Sequence, residues 1–558
     1  MSESIWIRNL KSDIDQIESF QHAIKNYVKH VSNINFEPVQ VHTSIISQFA
    51  DSLEAIVMLL NSNYKDHSTL LTGKINNING VFIYLRKIIE ADMILNIVIN
   101  NGKELYNLYL AQSTIDESHV CRNFGDDNKK FKVSNEESNN KYYWIEKALG
   151  TSVDSIDDLI ELAHIVPEAK SNMKAWVKEC NYMSHPTLYS DDKIIAPFNG
   201  AFMNDIYYVF EILIETIYAF YEMIKVIESI SQYNSKYDID TIKTKIPNLS
   251  LFKKDFFTKI SNRFSDDDNF KQVDYNQIPY NVRAEISMMT LGITAPFIKN
   301  ELGDRKRNTL NKLIDILAED LRDLLIGYYQ KNNAVFYPKI RQVLEDVSYV
   351  NQILNMTEEQ IEIFQAYTDI QRYINTNYTI NIRKNYIEPP FNFKKWNVDH
   401  DGKKQTIEQY YQQSLKFIKE YYKDNHNKNI KTKEIKRPNS WLYNGKKTPT
   451  NWQIIKRMLT DINDYTHENI DFYSGLYSLS SLYCHINNFS ITNAYIRKET
   501  TYINFLKAVM VVVKTVYDKL MSFAPNDFKA IFKPNQTTLN KLIYNLYNYD
   551  IINVPNPN

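Results

Sequence analysis

Glycine, proline and cysteine are all scarce in this sequence, and each shortage excludes a class of structure. Only 12 glycines and 16 prolines occur among 558 residues, which argues against a many-turned β protein and favours long helices joined by polar loops. The three cysteines, Cys121, Cys180 and Cys484, show no CxxC spacing, so neither a disulfide framework nor a zinc knuckle is predicted. This cysteine usage suits a reducing cytoplasm.

The chain also lacks a strong net charge and a long uninterrupted apolar run. Its formal charge is -1, so a nucleic acid or an anionic surface would have to be attracted by a local patch. The most apolar windows, 206–227 and 502–516, are interrupted by glutamate or lysine, and the N-terminus has no apolar signal run. We therefore expect no transmembrane segment and no membrane partner.

What the sequence does contain is helical periodicity and enough apolar mass for large cores. Residues such as Ile14, Ile17, Phe20 and Ile24 recur at three- and four-residue intervals, which is typical of helices with one buried face. Hydrophobic residues make up 44% of the chain and aromatic residues 13%, which is sufficient for two or more cores. These patterns predict an all-α fold.

The order of motifs repeats between the two halves of the chain. LRKIIE at 85–90 corresponds to IRQVLE at 340–345, and a histidine followed by three other residues, then an aromatic residue and a serine, occurs at 185–190 and again at 485–490. Repetition in the same order predicts two diverged helical bundles of one design. The predicted boundaries are 1–232 for the N-terminal bundle, 233–281 for an irregular linker, and 282–558 for the C-terminal bundle with an insertion at 391–450.

Each half places an arginine and a glutamate four residues apart within an apolar helix. Residues with this spacing share one face of the helix, and buried charges of this kind must be paired or hydrogen-bonded. We expect each pair to converge with the histidine of its own half. The candidate catalytic residues are Arg86, Glu90 and His185 in the first half and Arg341, Glu345 and His485 in the second.

Two interpretations of these triads stay open. In the catalytic one, the histidine relays the proton of an RNA 2′-hydroxyl while the arginine stabilises the phosphorane. In the structural one, each triad is a buried polar network that joins two helices, which is the commoner arrangement. No metal or other cofactor is predicted, because no nucleotide-binding glycine motif occurs and no carboxylate cluster accompanies His22 and His30.

A line of serines precedes the second histidine. Ser474, Ser478 and Ser481 recur at steps of four and three before His485. Serine is at best neutral in a helix interior, so the line predicts either the close approach of another helix or a hydrated pocket.

The insertion at 391–450 is locally basic and rich in aromatic residues. It contains 14 Lys and Arg against 6 Asp and Glu, a local charge of +8. A solvated basic loop is the ordinary interpretation, and a nucleic-acid-binding surface, with lysines on phosphates and rings stacked on bases, is the alternative. The candidate nucleic-acid-binding residues are Lys428, Lys431, Lys433, Lys436 and Arg437.

The succession of Arg-x-x-x-Glu, a tryptophan-containing loop (WLYNGKK at Trp441) and SLSSLYCH at 478–485 resembles that of uncharacterised bacterial all-helical proteins and is similar to the HEPN superfamily of small helical bundles. The second half matches better, since the first has Asn181 where the second has Ser481. In many HEPN-like proteins an Arg-x4-6-His motif supplies an arginine for phosphate charge and a histidine for proton transfer. No arginine lies four to six residues before His185 or His485, so the chain departs from that motif.

The resemblance implies a cytoplasmic bacterial protein that acts on or binds RNA in a defence or toxin-like role, by metal-independent ribonuclease chemistry. The alternative is a non-catalytic binding or scaffold protein that recognises nucleic acid or a protein partner. The sequence does not indicate an oligomeric state.

Overall fold

A computed structural model gives the architecture, which is helical almost throughout the residues that it describes. One two-stranded hairpin is the β structure within those residues. The all-α prediction is therefore confirmed. The described residues are 5–34, 36–61, 78–124, 140–184, 201–230, 237–248, 303–382, 397–400, 403–427, 429–444, 446–462, 467–487 and 499–523.

The first half contributes long helices with short ones between them. Their bounds are α1 Ile5–Val31, α2 Glu37–Asn61, α3 Ile78–Asn101, α4 Lys103–Asn123, α5 Tyr143–Leu149, α6 Ile156–Leu162, α7 Pro167–Met183, α8 Ala201–Ser229 and α9 Ile239–Lys243. The second half is also mostly helical, with the hairpin near its middle. Its bounds are α10 Asp304–Tyr329, α11 Asn333–Asn355, α12 Glu358–Ile382, β1 Asn397–His400, β2 Lys403–Thr406, α13 Ile407–His426, α14 Thr432–Ile435, a 3-10 turn Ser440–Leu442, α15 Asn451–Asp461, α16 His467–Tyr483 and α17 Glu499–Ser522.

Local sequence signals set several helix boundaries. Ser155 caps α6 in a capping box with Asp158, which satisfies backbone N–H groups that have no partner inside the helix. Pro167 occupies the start of α7, where its missing N–H costs nothing. Gly150 ends α5 at φ +65°, a left-handed conformation that favours glycine.

The buried apolar side chains form two cores, each centred on one helix. In the first, α3 packs against α2, α7 and α8. In the second, α11 packs against α10, α16 and α17. The two central helices are those that carry the Arg-x-x-x-Glu pairs, so the charged residues of both helices lie among apolar neighbours, where an unpaired charge is costly.

The two cores contact each other along α4 and α16. A Cβ at Gly475 would overlap the ring of Phe124, and Asn123 Nδ2 donates to Ser478 Oγ at 3.1 Å. Small residues on α16 therefore let α4 approach closely, which is one of the two outcomes that the serine line predicted. Beyond the end of α16, the backbone N–H of Asn487 donates to Gln48 Oε1 at 3.0 Å, which ties the end of this segment to α2.

Part of the basic insertion is helical rather than a loop. From residue 397 it forms the hairpin and then α13, which packs against α12. Tyr411, Ile418 and Tyr422 lie on one buried face of α13, and the lysines occupy the other faces. The interpretation as a solvated loop was right about the exposed lysines and wrong about the backbone of Ile407–His426, where the charge count concealed a helical apolar stripe.

The described part of the predicted linker, 237–248, contains α9, which packs against α1 and α8. Residues 249–281 lie outside the described residues, and the domain boundaries stay predictions.

Within the described part of the chain, α2 is a helix long and apolar enough to cross a membrane by length and composition, but 78% of its most apolar window is buried in the protein. Core helices of proteins without a membrane span pass the same test.

Candidate functional site

A carboxylate from the first half and an imidazole from the second form a direct pair. Glu90, on α3, is fully buried, and its Oε2 lies 3.0 Å from His485 Nδ1. Its other oxygen, Oε1, accepts the hydroxyl of Tyr142 at 2.7 Å. The carboxylate therefore has a partner for each oxygen, as a buried charge requires.

The protonation of this pair follows from its surroundings. Burial by itself would raise the pKa of Glu90, but His485, Lys141 and Arg86 lower it to about 2. Burial also lowers the pKa of His485 to about 3, with Lys141 and Arg86 acting in the same direction and outweighing the attraction of Glu90. At neutral pH Glu90 is thus charged and His485 neutral, with Nδ1–H donating to Glu90 and a lone pair left on Nε2.

Lys141 lies beside the same imidazole. Its Nζ is 3.1 Å from Nδ1 and 3.3 Å from Nε2 of His485, and it lies 4.6 Å from the ring centre of Tyr142. Burial, together with the positive charges of Arg86 and Arg341, lowers the pKa of Lys141 to about 7 against the attraction of Glu90. This lysine therefore changes protonation close to neutral pH, which an exposed lysine does not do.

The second Arg-x-x-x-Glu pair lies close to the first but forms its own contacts. Arg341 Nε donates to Glu345 Oε1 at 2.9 Å, with the arginine side chain 17% exposed and the glutamate 1%. Tyr477 Oη donates to the same oxygen at 2.7 Å, and the guanidinium lies 5.6 Å from the centre of the Tyr477 ring.

Arg86 adds a second guanidinium to the site. Unlike Arg341, it has no bonded partner among the described residues. Its Nε is buried without a hydrogen bond, although its charge acts on Glu90, Lys141 and His485. An unpaired half-buried cation of this kind is costly unless an anion binds to it. We define the composite cluster as Arg86, Glu90, Lys141, Arg341, Glu345 and His485. Its cations outnumber its carboxylates when Lys141 is protonated.

The structure changes the grouping that the sequence predicted. His485 forms its carboxylate contact with Glu90 of the other half, whereas Glu345 is bonded to Arg341 and Tyr477. His485 also lies two residues beyond α16, which ends at Tyr483. Helical spacing could not indicate this, because it predicts which residues share a face and not which core that face meets.

His185, the remaining candidate, lies outside the described residues, so its pairing with Arg86 and Glu90 stays a prediction. Sequence reasoning missed Lys141, Tyr142 and Tyr477. None of them belongs to a motif, and the one available signal was a lysine next to aromatic residues in KYYW at 141–144. Their part in the site depends on tertiary contacts alone.

The basic segment of the second half has its charges on the surface and its rings inside. The side chains of Lys431, Lys433, Lys436 and Arg437 are exposed, and Lys428 lies outside the described residues. The rings of Tyr411, Tyr422 and Trp441 are buried. These three rings therefore do not present faces on which bases could stack, and the stacking part of the nucleic-acid prediction is wrong for them.

Metal-ligating side chains do not cluster in the described part of the chain: it contains no group of three or more His, Cys, Asp or Glu that could hold an ion.

The fold and the site together define an all-α protein in which a half-buried cluster of charges joins two helical cores. No protein-family model, curated protein or solved structure matches the chain.

Proposed function

We propose that this protein binds RNA at the composite cluster and cleaves it by metal-independent acid–base chemistry, as a HEPN-like protein of bacterial defence. The observation that carries the proposal is the contact between His485 and Glu90, 3.0 Å long, next to two guanidinium groups. A carboxylate that orients a neutral imidazole leaves the second ring nitrogen available as a base.

In this mechanism Nε2 of His485 accepts the proton of a ribose 2′-hydroxyl, and the 2′-oxygen attacks the adjacent phosphorus. Glu90 holds the ring through Nδ1, which fixes the tautomer. Arg341, whose side chain is 17% exposed, and Arg86 supply positive charge where the phosphorane develops. Such preorganised cations act strongly because water is largely excluded from a half-buried site.

The neighbours of the two central helices support a tandem origin of the site. α3 packs against the helix before it, the helix that ends shortly before His185, and the long helix that follows. α11 packs against the helix before it, the helix that ends shortly before His485, and the long helix that follows. The same succession around Arg-x-x-x-Glu in both cores favours two diverged HEPN-like halves.

Purified protein tests the proposal on a labelled single-stranded RNA in the presence of EDTA. We expect cleavage that leaves a 2′,3′-cyclic phosphate and falls at least about 100-fold in His485→Ala, which is the usual range for losing a general base. Arg341→Ala should reduce the rate similarly. His426→Ala and Arg305→Ala, which remove an exposed histidine and an exposed arginine, are the matched controls and should cleave normally.

Absence of cleavage, or full activity in His485→Ala at an unchanged melting temperature, would reject the catalytic proposal.

The second candidate function, a non-catalytic RNA- or protein-binding scaffold, is favoured by the exposure of Lys431, Lys433, Lys436 and Arg437. Replacing all four with glutamate should then abolish RNA retention in a filter-binding assay. Retention that survives this charge reversal would remove the basic segment as a contact surface.

A further inference from the structure

Lys141 differs from the buried Lys339 in having no carboxylate beside it. Lys339 is bonded to Asp320 at 2.6 Å and to Asp323 at 2.7 Å. No carboxylate oxygen of a described residue lies within 4.0 Å of Lys141, whose hydrogen-bonding neighbours are the two ring nitrogens of His485. The usual reason for burying a lysine, an ion pair, is therefore missing here.

The charges around Lys141 favour the neutral amine. Burial disfavours the ammonium form of Lys141, and Arg86 from α3 and Arg341 from α11 repel it. The attraction of the buried Glu90 is weaker than these effects together, so the pKa of Lys141 falls to about 7. The neighbouring imidazole is itself neutral and offers a lone pair. A half-buried amine with the lone pair of Nε2 at 3.3 Å and two arginines nearby is an arrangement that makes lysine nucleophilic.

We propose that Lys141 is a modification site that accepts an acyl group from an acyl phosphate. The cluster recognises this class of reagent because its phosphoryl group carries the negative charge that Arg86 and Arg341 attract. The proposal concerns the amine itself and goes beyond RNA cleavage, which it does not require.

The reaction balances without any further reagent. The amine nitrogen of Lys141 attacks the acyl carbon, an N–C bond forms, and the C–O bond to phosphate breaks. The nitrogen loses one proton to Nε2 of His485, and the imidazole passes this proton to the departing phosphate, so the products are an amide and hydrogen phosphate. The amide is uncharged, so acylation removes one of the three cations of the composite cluster.

The expected selectivity follows from the two protonation states. At about pH 7.5 a lysine with pKa about 7 is mostly free amine. An ordinary lysine has a pKa of about 10.4, and only about one in a thousand such lysines is free amine at this pH. The free-amine fraction is therefore roughly 600-fold larger at Lys141. A less basic amine is also a weaker nucleophile, and a Brønsted slope of about 0.5, as found for thiols, makes the free amine of Lys141 about 50-fold slower. Lys141 should therefore react about tenfold faster than an exposed lysine.

Acetyl phosphate and the intact wild-type protein provide the test, with peptide mapping by mass spectrometry at low conversion. Lys147 is the matched control, because it is exposed and also lies next to a tyrosine, 5.7 Å from the ring centre of Tyr143. We expect Lys141 to be acetylated about tenfold faster than Lys147, with a rate that levels off above about pH 7.5. In Lys141→Arg the rapidly formed acetyl adduct should disappear while Lys147 reacts as before.

Acetylation of Lys141 at the rate of Lys147 or slower would overturn the proposal, as would a Lys141 rate that keeps rising up to pH 9. Both readouts come from the folded wild-type chain, so they hold even if Lys141→Arg fails to fold. Neither uses RNA, so a failure here is separate from a failure of the cleavage assay.

Discussion

Replacing Glu90 with glutamine tests whether the carboxylate stabilises the junction between the two cores. Glutamine has the shape of glutamate but no charge, so Arg86 and Lys141 lose their counter-charge while the side chain still fills its space. Glu90 is fully buried, so solvent cannot replace the lost interaction. We expect Glu90→Gln to lower the free energy of unfolding.

The magnitude follows from the proton affinity of the carboxyl. A pKa lowered from 4.5 to about 2 corresponds to about 3 kcal/mol in favour of the charged form, at about 1.36 kcal/mol per tenfold change. Part of that preference comes from the attraction between Glu90 and a protonated His485. At neutral pH His485 is not protonated, so this part is lost. The two hydrogen bonds and two cations that remain correspond to about 2 kcal/mol at pH 7.

The pH dependence has a definite sign. A carboxyl whose pKa is lowered by folding stabilises the protein above its unfolded value and loses that contribution as the pH falls toward its folded value. For Glu90 this window runs from 4.5 down to about 2. The difference between wild type and Glu90→Gln should therefore shrink by about 1 kcal/mol between pH 7 and about pH 3.5.

Urea unfolding followed by circular dichroism at several pH values measures both quantities. Glu228→Gln is the matched control, because Glu228 also accepts a tyrosine hydroxyl, that of Tyr27 at 2.7 Å, but is only half-buried. It should cost less than about 1 kcal/mol. A Glu90→Gln protein within about 0.5 kcal/mol of wild type, or a difference that does not change with pH, would refute the reasoning.

Three further outcomes are expected. Gly475→Ala should destabilise the protein by about 1–3 kcal/mol because the new methyl overlaps Phe124, and a second substitution, Phe124→Leu, should restore part of the loss in thermal melts. Lys339→Met should cost about 3–5 kcal/mol in urea unfolding, since it leaves two buried carboxylates without their cation. The imidazole nitrogens of His485 should keep neutral chemical shifts in nuclear magnetic resonance from pH 8 down to about pH 4, because its pKa is lowered to about 3.

Helix positions were accessible from the sequence because they depend on short-range periodicity. The Arg-x-x-x-Glu pairs were placed correctly within apolar helices, and Arg341 does bond Glu345 across one turn, since residues four apart always share a face. The insertion shows the limit of counting charges. Its lysines are on the surface, but Tyr422 and Trp441 belong to the second core.

The sequence by itself determined that the two Arg-x-x-x-Glu pairs lie within apolar helices, because this follows from spacing along one chain segment. Only the tertiary structure decided that His485 meets Glu90 and that Lys141 lies beside His485, since these contacts join residues more than 340 positions apart. No local pattern specifies such a contact. It arises from how α3 and the end of α16 are packed, and that packing shifts the pKa values on which the chemistry of the site depends.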